Sequence, residues 1–124
     1  MKSIVFSFII FFLTPLHADW KQISDDNEKI YFIETDMVIP HLEGRRMAKE
    51  LHEYKVPLDD GTTSLRIRSD YNCKEKKVRY LTFDKIAGEM GVGKIVFTQD
   101  RPSVWTSVSS DSPRKKILEF VCKR

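Results

Sequence analysis

The side chains with the clearest chemical potential in this chain are its two cysteines, Cys73 and Cys122. Two cysteines can form a disulfide bond, ligate a metal ion or act as a redox pair. Metal and redox pairs usually lie close together in the sequence, as in Cys-x-x-Cys, whereas these two lie far apart. We therefore expect one structural disulfide, which would close a loop of about 50 residues and stabilise the fold by roughly 4 kcal/mol.

Histidines and paired carboxylates are the other candidates for chemistry. His41 follows a proline in an expected loop and His52 lies among charged residues, so both are interpreted as solvated surface histidines. The acidic pairs Asp25-Asp26 and Asp59-Asp60 lie in turn-like segments, where aspartate accepts hydrogen bonds from the backbone. No serine lies in a nucleophile-elbow motif. The sequence therefore predicts no catalytic centre, no metal site and no cofactor, and the chain is interpreted as a non-enzyme.

Basic side chains could instead bind a partner. The segment from Ser64 to Tyr71 alternates apolar and polar residues, which predicts a half-buried strand whose two arginines face water or a partner. A second basic group follows Cys73, and the disulfide would bring it near the basic C-terminal segment. The candidate contact residues are Arg66, Arg68, Lys74, Lys76, Lys77 and Arg79. These cations predict a protein or an acidic glycan as the partner.

The overall charge argues against nucleic acid as that partner. The chain has 21 Lys and Arg against 18 Asp and Glu, a net charge of +3. Residues 1–18 hold one of the lysines and no acid, so the remainder carries +2. A balance this even gives no whole-protein field that would attract nucleic acid. The length of 124 residues suits a single domain, which we place at residues 19–124.

Residues 1–18 have the three parts of a secretory signal peptide. A charged start is followed by an apolar run from Ile4 to Leu13 and by a small-residue cleavage site that ends at Ala18. The apolar run is about half the roughly 20 residues that a membrane-spanning helix needs. No cysteine lies near Ala18 to receive a lipid, and no transmembrane segment is expected after it. We expect an exported protein of the periplasm or cell surface, cleaved after Ala18.

Hydrophobic patterning divides residues 19–124 into strands and one helix. Alternating or β-branched segments predict strands near residues 20–23, 29–33, 64–71, 78–83 and 94–98. Ser112 and Pro113 suit the N-cap and first position of a helix, with Ile117, Leu118 and Val121 on its apolar face. Residues 45–55 fit either a helix or a hairpin strand, and their composition slightly favours a helix. A glycine-rich loop is expected at residues 87–93.

Several of these segments together resemble one family of small exported bacterial proteins. They are Ser64 to Cys73, Arg79-Tyr80-Leu81, Met90-Gly91-Val92-Gly93-Lys94-Ile95-Val96, Trp105-Thr106-Ser107-Val108, Ser112 and the closing Val121-Cys122. In order and spacing they resemble the surface-adhesin protein E-like family over nearly all of residues 19–124. The resemblance implies an α+β fold, with an antiparallel sheet of about six strands and a C-terminal amphipathic helix tied to the sheet by the disulfide. It also implies that residues 46–54 form a strand.

The resemblance carries a functional expectation as well. It implies a non-enzymatic cell-envelope protein that binds a macromolecule, such as the host matrix and plasma proteins vitronectin, laminin and plasminogen. Two alternatives stay open, a periplasmic inhibitor or accessory protein of an enzyme such as lysozyme, and a protein with no adhesin role. Exposed strand edges would also permit a homodimer.

Overall fold

A computed structural model describes Val5, Ser7, residues 19–40 and residues 42–123. The predicted signal peptide, apart from those two residues, and His41 lie outside the described residues. Along the described chain there are eight strands, two short 3-10 turns at Thr35–Met37 and Glu89–Gly91, and one α-helix. The elements are β1 Trp20–Asp25, β2 Lys29–Glu34, β3 Ile39–Pro40, β4 Arg45–Tyr54, β5 Ser64–Asn72, β6 Lys77–Ala87, β7 Lys94–Gln99, β8 Thr106–Ser107 and α1 Arg114–Cys122.

The strands form one antiparallel sheet in the order β1-β2-β4-β5-β6-β7. The two-residue strands β3 and β8 pair with β4 and β6. Strands that neighbour each other in the sheet are close along the chain, so hairpins and short connections build most of the fold. The α+β fold with about six antiparallel strands is confirmed, with these two short strands in addition.

Helix α1 covers one side of this sheet, which we call the covered face; the opposite side is the open face. Ile117, Leu118 and Val121 of α1 are buried against apolar side chains of the sheet. These sheet residues are Tyr31, Ile33, Ala48, Tyr71 and Val78. A disulfide joins Cys73, just after β5, to Cys122 at the end of α1, with the two Cα atoms 5.7 Å apart. The predicted disulfide and the amphipathic face of the helix are confirmed.

The strand β4 decides between the two interpretations of residues 45–55. The helix that composition slightly favours is wrong, and the strand implied by the family resemblance is correct. β4 pairs with β2 on one side and β5 on the other, which satisfies its backbone groups on both edges. Ala48, Glu50 and His52 are buried on the covered face, as the alternation of a strand requires. The spacing of Met47 and Leu51 fits both structures, because residues four apart share a face in a helix and in a strand.

The start of α1 also differs from the sequence prediction. The helix begins at Arg114, its capping position is Pro113, and no side chain caps it. The hydroxyl of Ser112 donates to the carbonyl of Ser109 at 2.8 Å instead. Ser112 is therefore not the N-cap, because its side chain closes the preceding turn.

Asp26, Asp59 and Asp60 lie in turns, as predicted, whereas Asp25 is the last residue of β1 and pairs with Ile30 of β2. Asp26, between β1 and β2, accepts hydrogen bonds from the backbone N–H groups of Glu28 and Lys29 at 2.8 and 2.7 Å. Asp60 accepts one from the backbone of Thr62 at 3.0 Å. These two carboxylates therefore fix the geometry of their turns.

The glycine-rich loop after β6 folds over one end of the open face. A Cβ at Gly88 would lie 1.8 Å from the carbonyl oxygen of Val92, so only glycine fits there. Gly91, with a φ of 73°, packs so closely that its Cβ would lie about 3.1 Å from a methyl carbon of Leu51. Leu51 is fully buried beneath this loop although it belongs to the open face. The loop also packs against the stem of Arg66, where a Cβ at Gly91 would lie 3.0 Å from Cγ.

Candidate functional site

The register of β4, β5 and β6 gathers three cations on the open face. Lys49 of β4 lies directly opposite Arg68 of β5, and Arg68 lies opposite Thr82 of β6. Arg66 is two residues from Arg68, so it shares that face, and it lies opposite Asp84. The two predicted contact residues of β5 are therefore joined by Lys49, which sequence patterning did not single out.

These side chains line a groove with a volume of about 260 Å³, which we call the open-face groove. Trp20 of β1 is half-buried and lies opposite Glu34 in the sheet register. Glu34 in turn reaches Lys49, with 3.9 Å between Oε2 and Nζ. The residues that line the groove are Trp20, Lys49, Glu50, Arg66, Ile67, Arg68, Thr82 and Asp84. The groove therefore crosses the sheet from β1 to β6.

The charges in the open-face groove are not balanced. The carboxylate of Asp84 lies 3.3 Å from the guanidinium of Arg66, and Glu34 is the partner of Lys49. Arg68 is exposed and forms no ion pair with any residue that the structure describes. Lys49 and Arg68 are like charges directly opposite each other on adjacent strands, which destabilises a sheet. The groove thus contains an exposed cation, Arg68, that forms no stabilising ion pair within the described part of the protein.

A second cluster on the open face, the Trp105 cluster, consists of Arg45, Asp70, Arg79 and Trp105. Asp70 has no exposed surface and accepts hydrogen bonds from Arg45 Nε at 3.0 Å and Arg79 Nε at 3.2 Å. Both guanidinium groups lie against the indole ring of Trp105, 4.5 and 4.6 Å from its centroid. The hydrogen bond to Asp70 raises the pKa of Arg45. Arg79, one of the predicted contacts, is therefore engaged by internal partners.

The remaining predicted contacts lie in the turn between β5 and β6 or, for Lys77, at the first residue of β6. Lys74 and Lys76 are exposed there, and Lys77 lies 3.8 Å from the carboxylate of Glu75. The disulfide joins the start of this turn to the end of α1, where Lys123 is exposed. The structure therefore divides the predicted contacts among the open-face groove, this turn and the Trp105 cluster.

The covered face holds a buried network of polar side chains that sequence patterning missed. Glu50 accepts a hydrogen bond from the Tyr71 hydroxyl at 2.7 Å, and its other oxygen lies 2.9 Å from Nε2 of His52. Arg114 of α1 lies 3.5 Å from Glu50 and 3.1 Å from the Tyr71 hydroxyl, and it also bonds to the hydroxyl of Tyr80. The interpretation of His52 as a solvated surface residue is wrong, because β4 turns its side chain into the covered face.

Burial and neighbouring charges shift the pKa values of Glu50 and His52 in this buried network, and for each residue some of these effects oppose each other. Burial opposes ionisation of Glu50, but the Arg114 charge and the His52 hydrogen bond outweigh it and lower the pKa of Glu50 to about 2. Burial, with the positive charges of Arg114 and Lys29, lowers the pKa of His52 although Glu50 acts the other way. At neutral pH the network therefore contains a carboxylate, a guanidinium and a neutral imidazole.

A carboxylate beside a histidine could serve acid–base catalysis, but this pair is closed off from water. The side chains of Glu50 and His52 have no exposed surface, and the rings of Tyr31 and Tyr80 flank the imidazole with centroids 4.6 and 6.4 Å away. The buried network therefore holds α1 against the sheet.

Among the described residues, no three His, Cys, Asp or Glu side chains are placed to hold a metal ion. The described part of the chain also contains no helix with the length and hydrophobicity needed to cross a bilayer.

The fold of this chain is similar to that of solved structures of Haemophilus influenzae protein E. The selenomethionine form of that protein is 12% identical, with a TM-score of 0.67 over 89% of this chain and 90% of that chain. A second crystal form is 13% identical, with a TM-score of 0.65 over 89% and 91%. Protein E from a non-typeable strain is 12% identical, with a TM-score of 0.58 over 89% and 79%.

Sequence comparison identifies the family. The sequence profile of surface-adhesin protein E matches residues 20–123. This chain therefore belongs to the surface-adhesin protein E family, as the resemblance of its motifs indicated. No curated protein matches the sequence.

Proposed function

We propose that this protein is a non-enzymatic adhesin of the bacterial cell envelope that binds a host extracellular-matrix or plasma protein with the open face of its sheet. Membership of the surface-adhesin protein E family supports adhesion. The structure of the sheet supports the open face as the binding surface, because α1 packs over the core residues of the covered face. The centre of the open face carries a groove instead.

The observation that carries the proposal is the pair of like charges at the centre of that groove. Lys49 and Arg68 lie opposite each other, and an acidic residue at either position would stabilise the sheet better. Arg68 also has no acidic partner among the described residues. A cation that lowers the stability of the fold is favourable when it meets an anionic group on a partner.

Export precedes this role. Residues 1–18 act as a signal peptide that is cleaved after Ala18, and the mature chain enters the periplasm or reaches the cell surface. The sequence supports this with an apolar run bounded by a lysine and a small-residue cleavage site. The intact mass of the protein recovered from cell-envelope and culture fractions tests it. A mass that retains residues 1–18 in both fractions would contradict the cleavage.

Surface plasmon resonance of residues 19–124 over immobilised vitronectin, laminin and plasminogen tests the adhesin role. A heparin surface measures binding to an acidic glycan in the same run. Saturable binding to at least one of the three proteins, weaker at the higher of two salt concentrations, is the expected result because salt screens exposed charges. No binding to any of the three would contradict the proposal.

Two matched charge reversals assign the contact to a region. Arg68→Glu changes the open-face groove, and Lys74→Glu makes a similar change at another exposed position, in the turn between β5 and β6. Arg68→Glu should lower the affinity roughly tenfold or more, and Lys74→Glu should change it by less than about twofold. The opposite ranking would move the contact to the turn.

The edge strand β7 supports a homodimer. Five of its six residues are exposed, Ile95, Val96 and Phe97 among them. Antiparallel pairing of two copies about Phe97 would set the two Phe97 side chains opposite each other and Lys94 of one copy opposite Asp100 of the other, so the charges match. A second copy of this chain is therefore the occupant that suits this edge.

Light scattering after size exclusion tests the dimer. The wild-type protein should reach the dimer mass as its concentration rises, and Val96→Lys should stay monomeric because a lysine on an edge strand opposes pairing. Val104→Lys is the matched control, since Val104 is 82% exposed but lies outside β7. A monomeric wild type at every concentration would contradict the dimer.

A further inference from the structure

We infer that the open-face groove binds an acidic peptide segment, with one glutamate or aspartate carboxylate seated between Lys49 and Arg68. This inference rests on the proposed function and names the chemistry of its contact. The segment would belong to the partner protein and would lie across the strands, from Trp20 at one side of the groove to Thr82 at the other.

The two opposed cations define where the carboxylate sits. Neighbouring strands lie about 4.8 Å apart, so the stems of Lys49 and Arg68 are separated by little more than the width of a carboxylate. The planar guanidinium of Arg68 can donate two parallel hydrogen bonds to one carboxylate, and the ammonium of Lys49 adds a point charge. The hydroxyl of Thr82, opposite Arg68, offers a further donor.

The nearby acids favour a single carboxylate over a polysulfated glycan. Glu34 and Asp84 lie beside the cations and already engage Lys49 and Arg66. Of the three described cations in the groove, Arg68 alone is left without an acidic partner. A glycan with closely spaced sulfates would bring further negative charge against Glu34 and Asp84, whereas one carboxylate would balance the one unused cation.

The length of the groove indicates an extended segment. Trp20, Glu34, Lys49, Arg68 and Thr82 follow one another across five neighbouring strands. Four gaps between strands span about 19 Å, which is the length of roughly six extended residues. By strand spacing, the backbone of Trp20 lies about 12 Å from the midpoint between Lys49 and Arg68, so an apolar residue four positions from the acid would reach its half-buried side chain.

A peptide titration followed by NMR tests this inference. The probe is the acetylated, amidated hexapeptide Leu-Ser-Gly-Ser-Glu-Ser, and its matched control has glutamine in place of glutamate. The indole N–H of Trp20 and the side-chain Nε–H of Arg68 should shift to saturation with the glutamate peptide. The glutamine peptide should bind about tenfold more weakly, because it keeps the shape of the probe without its charge.

Variants separate the groove from general charge attraction. Arg68→Gln should lower the affinity for the glutamate peptide about tenfold. Arg68→Lys should recover part of that affinity, because lysine restores the positive charge without the two parallel hydrogen bonds of a guanidinium. Arg101→Gln removes an exposed arginine outside the groove and should leave the affinity unchanged. Equal binding of the two peptides, or equal losses in Arg68→Gln and Arg101→Gln, would overturn the inference. Tighter binding of a sulfated heparin disaccharide than of the peptide would overturn it as well.

Comparison of the peptide titration with the surface plasmon resonance result distinguishes failure of the adhesin role from failure of the proposed peptide site. If a host protein binds and Arg68→Gln does not weaken it, the adhesin role stands and the groove is wrong. If the peptide binds in the groove and no host protein binds, the groove chemistry stands and the choice of host partner is wrong.

Discussion

The two faces of the sheet differ in how their charged side chains are paired. On the covered face, Glu50 is fully buried and is held by Arg114, His52 and Tyr71. On the open face, Arg68 is exposed, lies opposite another cation and has no acidic partner among the described residues. The first arrangement stabilises the fold, whereas the second lowers its stability and is useful only when a partner supplies the missing charge.

One strand supplies both arrangements. Lys49 and Glu50 are consecutive in β4, so their side chains point to opposite faces. A change at one position should therefore affect folding, and a change at its immediate neighbour should affect binding.

The largest expected effect follows from removal of the disulfide. The double variant Cys73→Ala with Cys122→Ala frees the end of α1 from the sheet and should lower the free energy of unfolding by roughly 4 kcal/mol, given the 49-residue separation. Urea denaturation measures the loss. Below the unfolding transition the variant should keep its affinity for the acidic hexapeptide, because the open face is untouched. A loss of that affinity in the folded variant would show that the two faces are coupled.

A smaller loss should follow from breaking the buried network. Glu50→Ala leaves the largely buried Arg114 without its carboxylate and should cost about 3 kcal/mol of unfolding free energy. Asp84→Ala, which removes the open-face partner of Arg66, is the matched control and should cost less than about 1 kcal/mol. Equal losses in urea denaturation would mean that the two faces do not differ in the way described.

The pH dependence of stability should come from His52. Its pKa is lowered in the folded state, mainly by burial, so below about pH 6.5 the unfolded chain takes up a proton that the native protein does not. The free energy of unfolding should therefore fall as pH drops from 7 to 5, by at most about 1.4 kcal/mol per pH unit. Glu50 adds a further loss below about pH 4.5, since its folded pKa of about 2 lies below its ordinary value.

The variant His52→Gln isolates the histidine contribution. Glutamine does not titrate and can still bond to Glu50, so the slope of stability between pH 7 and pH 5 should flatten. Denaturation at a series of pH values measures it. An unchanged slope would assign the dependence to other groups.

The smallest expected effect lies on the open face. Arg68→Gln removes a like-charge pair and should change the free energy of unfolding by less than about 0.5 kcal/mol, in the stabilising direction. Thermal denaturation at low salt, where the repulsion is strongest, measures the change. A loss of more than 1 kcal/mol would mean that Arg68 serves the fold.

Much of the fold was predictable because its signals are local. The alternation around Arg66 and Arg68 indicates a strand, and the apolar residues of α1 recur at helical spacing. β4 was harder, since its alanine, lysines and glutamates favour a helix while pairing on both edges imposes a strand. Only the family resemblance corrected that interpretation.

The site was predictable in part, for a related reason. Arg66 and Arg68 could be placed on an outward face from their own strand, but Lys49 joins them through a register that no local pattern encodes. Assignment of residues 45–54 to a strand would have put Glu50 and His52 on the same side as Ala48, and so flagged both as buried. The Trp105 cluster and the position of Arg114 depend on contacts between distant segments, which one sequence does not disclose.

The position of β7 outside the cover of α1 has a consequence for exchange of amide hydrogens with solvent. Among the described strands its backbone pairs with β6 alone, and five of its six residues are exposed, so local opening should cost far less than global unfolding. Deuterium should therefore enter β7 early, while the buried strands β4 and β5 stay protected. Protection of β7 that increases with protein concentration would report the same edge being covered by a second chain.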